Sequence, residues 1–242
     1  MKRSNGRKED ELRQLFLGPG FVKNALGSCF VKFGDTHVVC TATLDEKVPP
    51  FLRNTGSGWI TAEYGMLPCS SSERIEREAV KGKQSGRTQE IQRLIGRALR
   101  TAVDLRLLGE RQIKIDCDVI QADGGTRTAS ITGGYVALAQ AVQQLLRRRR
   151  LDCNPIVRQI AAISCGIVDG AALLDLDYAE DSNADVDANF VMDSDLNIVE
   201  IQMTAEKNPF SKASLDKLLA FAEKGIKEIA TAQQSLNLIG AK

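Results

Sequence analysis

The chain has 242 residues, 43% of them hydrophobic, and a formal net charge of +1 at pH 7. That length can bury one large core or two small ones. The near-neutral balance excludes a polycation, and the lack of a long charge-free apolar run excludes a membrane helix. Charge is unevenly placed, however. Residues 68–111 carry ten Lys/Arg against six Asp/Glu, whereas 178–200 carry seven Asp/Glu and no Lys or Arg. A basic surface facing an acidic pocket suits a polyanionic substrate with a divalent metal; two separate solvated faces are the plainer alternative. The six cysteines are scattered singly, four of them in strand-like patterns, which points to buried reduced thiols in a cytosolic protein. Structural zinc is not expected, since His37 is the only histidine. The basic stretch 1–8 is followed by no apolar segment, so no signal peptide is expected.

In chain order, residues 11–20 read as an irregular or extended lead-in. Alternation predicts strands over 28–33 and 37–44, joined by the hairpin dipeptide Gly34-Asp35. A further strand is expected over 59–64, after a Pro- and Gly-broken loop. Residues 68–86 form a long polar loop with room for one short helix near 74–80, and long loops tend to be functional. The first helix is predicted over 88–107, with Ile91, Leu94, Ile95, Ala98, Leu99, Ala102 and Val103 as its apolar stripe and Gly109 as its end. A strand over 112–120 follows, then a helix over 130–149 that ends in Arg147-Arg148-Arg149-Arg150. That run caps a helix dipole as readily as it contacts RNA. Strands over 159–168, 171–177, 189–192 and 196–203 precede a last helix over 214–236. Both parts, about 1–150 and 151–242, read as hairpin, further strand and helix. No linker separates them, so one α/β domain of two related halves is expected.

The chemistry concentrates at Gln121-Ala122-Asp123-Gly124-Gly125-Thr126-Arg127. A strand, a glycine turn and a helix start present free N–H groups and the positive end of a helix dipole to an anion. Arg127 adds a fork suited to phosphate oxygens. Gly86-Arg87 stands ahead of the other helix in the same way. An ordinary strand-to-helix turn with a solvated arginine is the alternative. The acidic stretch 178–189 joins strand to strand, and carboxylates that dense invite Mg²⁺ or Mn²⁺, unless they form only a solvated turn.

Longer motifs narrow the choice. Residues 86–97 (Gly-Arg-Thr-Gln-Glu-Ile-Gln-Arg-Leu-Ile-Gly-Arg), 116–130, 56–68, Glu180-Asp181-Ser182 and Thr204-Ala205-Glu206 closely resemble the bacterial ribonuclease PH family over nearly the whole chain. The resemblance implies a two-layer βαβ fold duplicated within the chain and a homohexameric ring, a trimer of dimers, in the cytoplasm. It implies a phosphate-dependent 3′→5′ exoribonuclease that trims transfer RNA precursors and other RNA 3′ ends, releasing nucleoside 5′-diphosphates reversibly. Arg87, Gly125, Thr126 and Arg127 match the phosphate-binding positions. Asp181 and Asp187 match the carboxylates that hold Mg²⁺ (or Mn²⁺) and serve catalysis. Arg74, Arg77 and Arg93 are the candidates for RNA contact, with pairing of Arg74 and Arg77 to Glu73, Glu76 and Glu78 as the alternative. The chain departs from the family at Cys69, where an arginine is usual, at Ala188, where a methionine is usual, and at Met203, where a glycine is usual. A hydrolytic metal-dependent nuclease and a non-catalytic ring subunit remain the rival readings.

Overall fold

The computed structural model describes Arg3 and residues 6–238. Its first sheet contains β1 (Leu15–Pro19), β2 (Gly27–Phe33), β3 (Thr36–Asp45), β4 (Trp59–Met66) and β5 (Gln112–Gln121), in the order β1-β2-β3-β5-β4. Neighbours are antiparallel except β4 and β5, which run parallel and are joined by a helical crossover. Period-two alternation sends Cys29, Val31 and Phe33 of β2, Val38, Cys40 and Ala42 of β3, and Ile113, Ile115, Cys117 and Val119 of β5 into the core. The second sheet contains β6 (Ile160–Val168), β7 (Ala171–Leu174), β8 (Val186–Asp193) and β9 (Ile198–Ala205), all antiparallel, in the order β7-β6-β8-β9.

Short α1 (Glu78–Lys81) lies in the long polar loop, and α2 (Gly86–Thr101) and α3 (Leu105–Leu108) fill the crossover. Helix α4 (Thr126–Arg147) packs on β2 and β3 and also reaches β6, which α6 (Lys212–Ser235) covers as well. Strand β6 is consequently buried along almost its whole length rather than on alternate residues. Thr132 of α4 bonds both the carbonyl (3.2 Å) and the N–H (3.1 Å) of Ala162 in β6, tying the two sheets through one helix. The fold is the mixed α/β architecture of the sequence reading. No helix among the described residues is long and apolar enough to cross a membrane.

Three local expectations change. The helix predicted to run unbroken to 107 stops at Thr101, and a separate turn begins at Leu105. Val103 pairs with Ile156 as an isolated bridge, the Asp104 N–H donates to the Pro155 carbonyl (2.8 Å), and the Asp104 carboxylate caps α3. Helix α4 starts four residues earlier than expected, so Thr126 and Arg127 lie in its first turn rather than ahead of it; the same holds for Arg87 in α2. The acidic stretch is not a plain strand-to-strand link either, because α5 (Tyr178–Asp181) forms in it under a capping box between Asp177 and Glu180.

The cysteines follow expectation: Cys29, Cys40, Cys117 and Cys165 are buried thiols, and Cys69 is exposed. The two departures in the second sheet explain each other. Ala188 and Met203 are direct partners across the β8–β9 ladder. The family's large residue on β8 and small one on β9 are exchanged here for a small and a large one, which keeps the volume of that pair nearly constant.

Candidate active site

The glycine turn is held from beneath by a buried ion pair. Arg13, just ahead of β1, binds Asp175 through Nε (3.1 Å) and Nη2 (2.7 Å), and its own N–H donates to the same carboxylate (2.8 Å). The rest of the guanidinium reaches the carbonyls of Asp123 and Gly124. Thr36 donates to the Gly124 carbonyl (2.6 Å) and accepts from the Asp123 N–H (3.0 Å). Both carbonyls are thus engaged from below, and Asp123 spends its N–H on the same Thr36 hydroxyl. Gly124 has φ 72°, and a Cβ there would lie 2.6 Å from the Leu176 carbonyl oxygen, so only glycine fits. Gly125 caps α4 in the left-handed conformation, φ 65°. Thr126, buried at the helix start, shares a hydrogen bond with the Tyr64 hydroxyl (2.9 Å).

Above this turn is a cavity of about 820 Å³. Arg87 from the first turn of α2, Gly124 to Arg127, Asp181 at the end of α5, and Asp187 and Asn189 on β8 all line it. Arg74 lines it from the long polar loop. Of the acids in 178–189, only Asp181 and Asp187 face the cavity. Glu180 turns away into a buried pair with Arg3 (2.5 and 2.6 Å), and Asp185 binds Lys207 (2.9 Å). Among the described residues no group of three or more His, Cys, Asp or Glu side chains is arranged to hold a metal ion. The available set is therefore the Asp181–Asp187 pair.

Burial raises the Asp181 carboxyl above its usual range, against the pull of Arg87 and Arg127. Asp187 is pushed up to about 6, first by burial and then by the charge of Asp181, with Arg127 opposing. Two carboxylates whose ionisation is disfavoured by burial, beside two arginines, are a pair at which a proton or a cation would be welcome. Arg127 itself is not free: Nη2 lies 3.6 Å from Glu90, and Nη1 donates to Gln202 (3.3 Å).

Of the residues expected to contact RNA, only Arg74 lines this cavity. Arg77 is exposed at the start of α1, and Arg93 lines a separate groove on α2. Pairing of Arg74 or Arg77 with the nearby glutamates is not seen among the described residues. Glu76 pairs instead with Lys81 (3.3 Å), and Glu78 accepts from Ser85 N–H (2.9 Å) and Thr88 Oγ1 (2.6 Å). Sequence reasoning missed Arg13 and Asp175, since neither sits in a motif and their contact spans 162 residues. It also passed over Glu90, inside the 86–97 motif, and Gln202, two residues ahead of Thr204-Ala205-Glu206.

Comparison with known proteins accords with this geometry. The first-domain model of the 3′ exoribonuclease (RNase PH) family matches residues 11–143, and the second-domain model matches 158–225. The Archaeoglobus fulgidus exosome, solved with RNA bound to its active site, superposes with a TM-score of 0.82 at 24% identity, over 96% of this chain and 92% of that one. Rice (Oryza sativa) Rrp46 gives 0.78 at 17% identity, over 98% and 100%. An archaeal exosome core gives 0.75 at 22%, over 96% and 91%. At those identities the likeness is one of fold, whereas the two family models span most of the sequence. The chain belongs to the 3′ exoribonuclease family of RNase PH type.

Proposed function

We propose that the chain is a phosphorolytic 3′→5′ exoribonuclease of the bacterial ribonuclease PH kind, removing nucleotides from transfer RNA precursors and other RNA 3′ ends in the cytoplasm. One observation carries the reading: both arginines, the glycine turn and both aspartates line a single cavity. Inorganic phosphate would sit on the free N–H groups at the start of α4, clamped by Arg87 and Arg127. Its oxygen forms a bond to the last phosphodiester phosphorus while the bond from that phosphorus to the penultimate 3′ oxygen breaks. The leaving oxygen takes a proton, which a protonated Asp181–Asp187 pair in the same cavity would supply. A nucleoside 5′-diphosphate and an RNA one nucleotide shorter result, and because the phosphodiester bond broken is replaced by a phosphoanhydride bond of comparable free energy, the reaction is reversible.

Asp181 and Asp187 would hold Mg²⁺ or Mn²⁺, and two carboxylates completed by substrate phosphate oxygens are a donor set that Mg²⁺ accepts. When bound, the ion neutralises charge on the scissile phosphate and the leaving oxygen. Arg74 would meet the RNA backbone at the mouth of the cavity. Assembly into a homohexameric ring, a trimer of dimers, is part of the same proposal. A 3′-extended transfer RNA, incubated with Mg²⁺ with and without phosphate, should release nucleoside diphosphates only when phosphate is present. Release of monophosphates in phosphate-free buffer would overturn phosphorolysis in favour of hydrolysis. No product under either condition would mark a non-catalytic ring subunit.

A further inference from the structure

A second cluster of cations lies outside the catalytic cavity. Arg93, Arg97 and Arg100 stand at i, i+4 and i+7 on α2 and so share one face of the helix. With Trp59, Gln92 and Gly96 they line a groove of about 330 Å³ where α2 meets β4. Gly96 makes the close approach feasible: a Cβ there would sit 3.2 Å from Arg100 Nη1 and 3.5 Å from the Ala62 backbone nitrogen.

The groove is rich in donors and short of acceptors. Arg97 is matched, by a two-pronged contact to Glu200 (2.7 and 2.5 Å). Arg100 donates one N–H to the Ile60 carbonyl (2.8 Å) and lies over the Trp59 ring, 4.3 Å from its centre. Burial and then the neighbouring charge of Arg97 lower its pKa, and it has no carboxylate partner among the described residues. Arg93 is exposed and has no ion-pair partner among the described residues, and the Gln92 side-chain nitrogen is buried with no acceptor. A tetrahedral oxyanion supplies what Arg93, Arg100 and the Gln92 amide N–H₂ lack, since it accepts from several directions at once.

We propose that this groove is a second phosphate-binding site, taking either a backbone phosphate of bound RNA or a free phosphate group. Its occupancy would be felt at the catalytic turn. Glu200, the partner of Arg97, also accepts from Gln202 (3.3 Å), and Gln202 accepts in turn from Arg127 (3.3 Å) while donating to Glu90 (3.1 Å). A phosphate that draws Arg97 off Glu200 loosens the chain of contacts that now holds Arg127. The binding itself is independent of the catalytic reading; only this coupling rests on it.

Trp59 is the one tryptophan of the chain and lines the groove, so its fluorescence reads binding directly and without turnover. Three titrations in phosphate-free buffer separate the sources: an oligoribonucleotide, inorganic phosphate, and a nucleoside diphosphate. Each is run on the unaltered protein, on Arg87→Ala, on Arg93→Gln and on Arg93→Gln/Arg97→Gln, with melting curves to show that the variants are folded. The emission should change with at least one ligand and should still change in Arg87→Ala. Half-saturation should rise about tenfold in the double variant, and if RNA is the ligand its log–log salt slope should fall by roughly one unit per arginine removed. A response to RNA alone places the groove on the RNA path, and a response to inorganic phosphate makes it a site for the free anion. Arg93→Gln leaves the Glu200 contact intact, so a response lost there cannot be ascribed to a broken ion pair. Emission indifferent to all three ligands would overturn the proposal, as would a response unaltered in both arginine variants. So would variants that change only the oligomeric state, which would make the face an interface between copies.

Discussion

Asp187 is where charge, burial and chemistry meet, and its environment gives a stability effect separable from catalysis. In the folded protein its carboxyl keeps a proton until about pH 6, whereas an unperturbed aspartate loses it near 3.8. Between those values the folded state binds more protons than the unfolded one, so stability falls as pH rises and the cost is complete above about 6. Asp187→Asn removes that cost. The variant should melt a few degrees above the unaltered protein at pH 8, by no more than about 3 kcal/mol, and at the same temperature near pH 3.5. Activity should be lost throughout. A melting difference unchanged by pH would show that Asp181 and burial are not its cause. Arg127 offers a second test. Its contact with Glu90 is partly exposed and costs a substrate phosphate only the work of competing, about 0.2–1 kcal/mol. Glu90→Gln should therefore lower the KM for phosphate roughly two- to fivefold with kcat nearly unchanged; a raised KM would make Glu90 a positioning residue instead. The sequence reading singled out Asp181, Asp187, Arg87 and Arg127, which the fold gathers round one cavity, because local motifs carry them. It did not show that Glu180 points to Arg3, since the direction of a side chain on a four-residue helix depends on what packs beneath it.

At the scale of elements, strands were legible wherever one face is buried, because alternation is then imposed residue by residue. Strand β6, covered more completely, showed itself by apolar run rather than by period. The break between α2 and α3 was invisible for a definite reason. Ala102 and Val103 are buried and continue the helical stripe, so periodicity runs straight through the bend. What ends α2 is the pairing of Val103 with Ile156 and of Asp104 with Pro155, about fifty residues away in sequence and beyond any local pattern. Asp104 then restarts the helix by accepting from the N–H groups of Arg106 (2.9 Å) and Leu107 (3.4 Å). Asp104→Ala should cost about 1 kcal/mol and lower the melting temperature by about 2–4 °C, with the catalytic cavity intact. Asp104→Ser, which keeps a capping oxygen, should recover most of the loss.

For the whole molecule, the N-terminal segment clamps the second sheet to the glycine turn. Arg3 reaches Glu180 and the carbonyls of Leu174 and Asp175, and Arg13 bridges Asp175 to Asp123 and Gly124. Asp175 is almost fully buried and Arg7 (3.6 Å) remains beside it, so Arg13→Met removes its closest partner without isolating its charge and should destabilise the protein by up to about 3 kcal/mol. Asp175→Asn in that background should restore part of it. The clamp also yields a test of phosphate binding that needs no RNA. A ligand that binds only the folded state stabilises by about 2.7 kcal/mol at a hundred times its Kd. Inorganic phosphate should therefore raise the melting temperature of the unaltered protein by several degrees, and that of Arg87→Ala/Arg127→Ala by much less. The informative case is Arg13→Met/Asp175→Asn, which keeps both phosphate arginines but removes the guanidinium from beneath the turn, freeing the Asp123 carbonyl while Thr36 still holds that of Gly124. If phosphate binding depends on N–H groups aimed upward by contacts below, this variant should lose most of the phosphate-induced shift even though its melting without phosphate is largely restored. A full shift would mean that the arginines alone hold the anion and that the buried pair serves stability only.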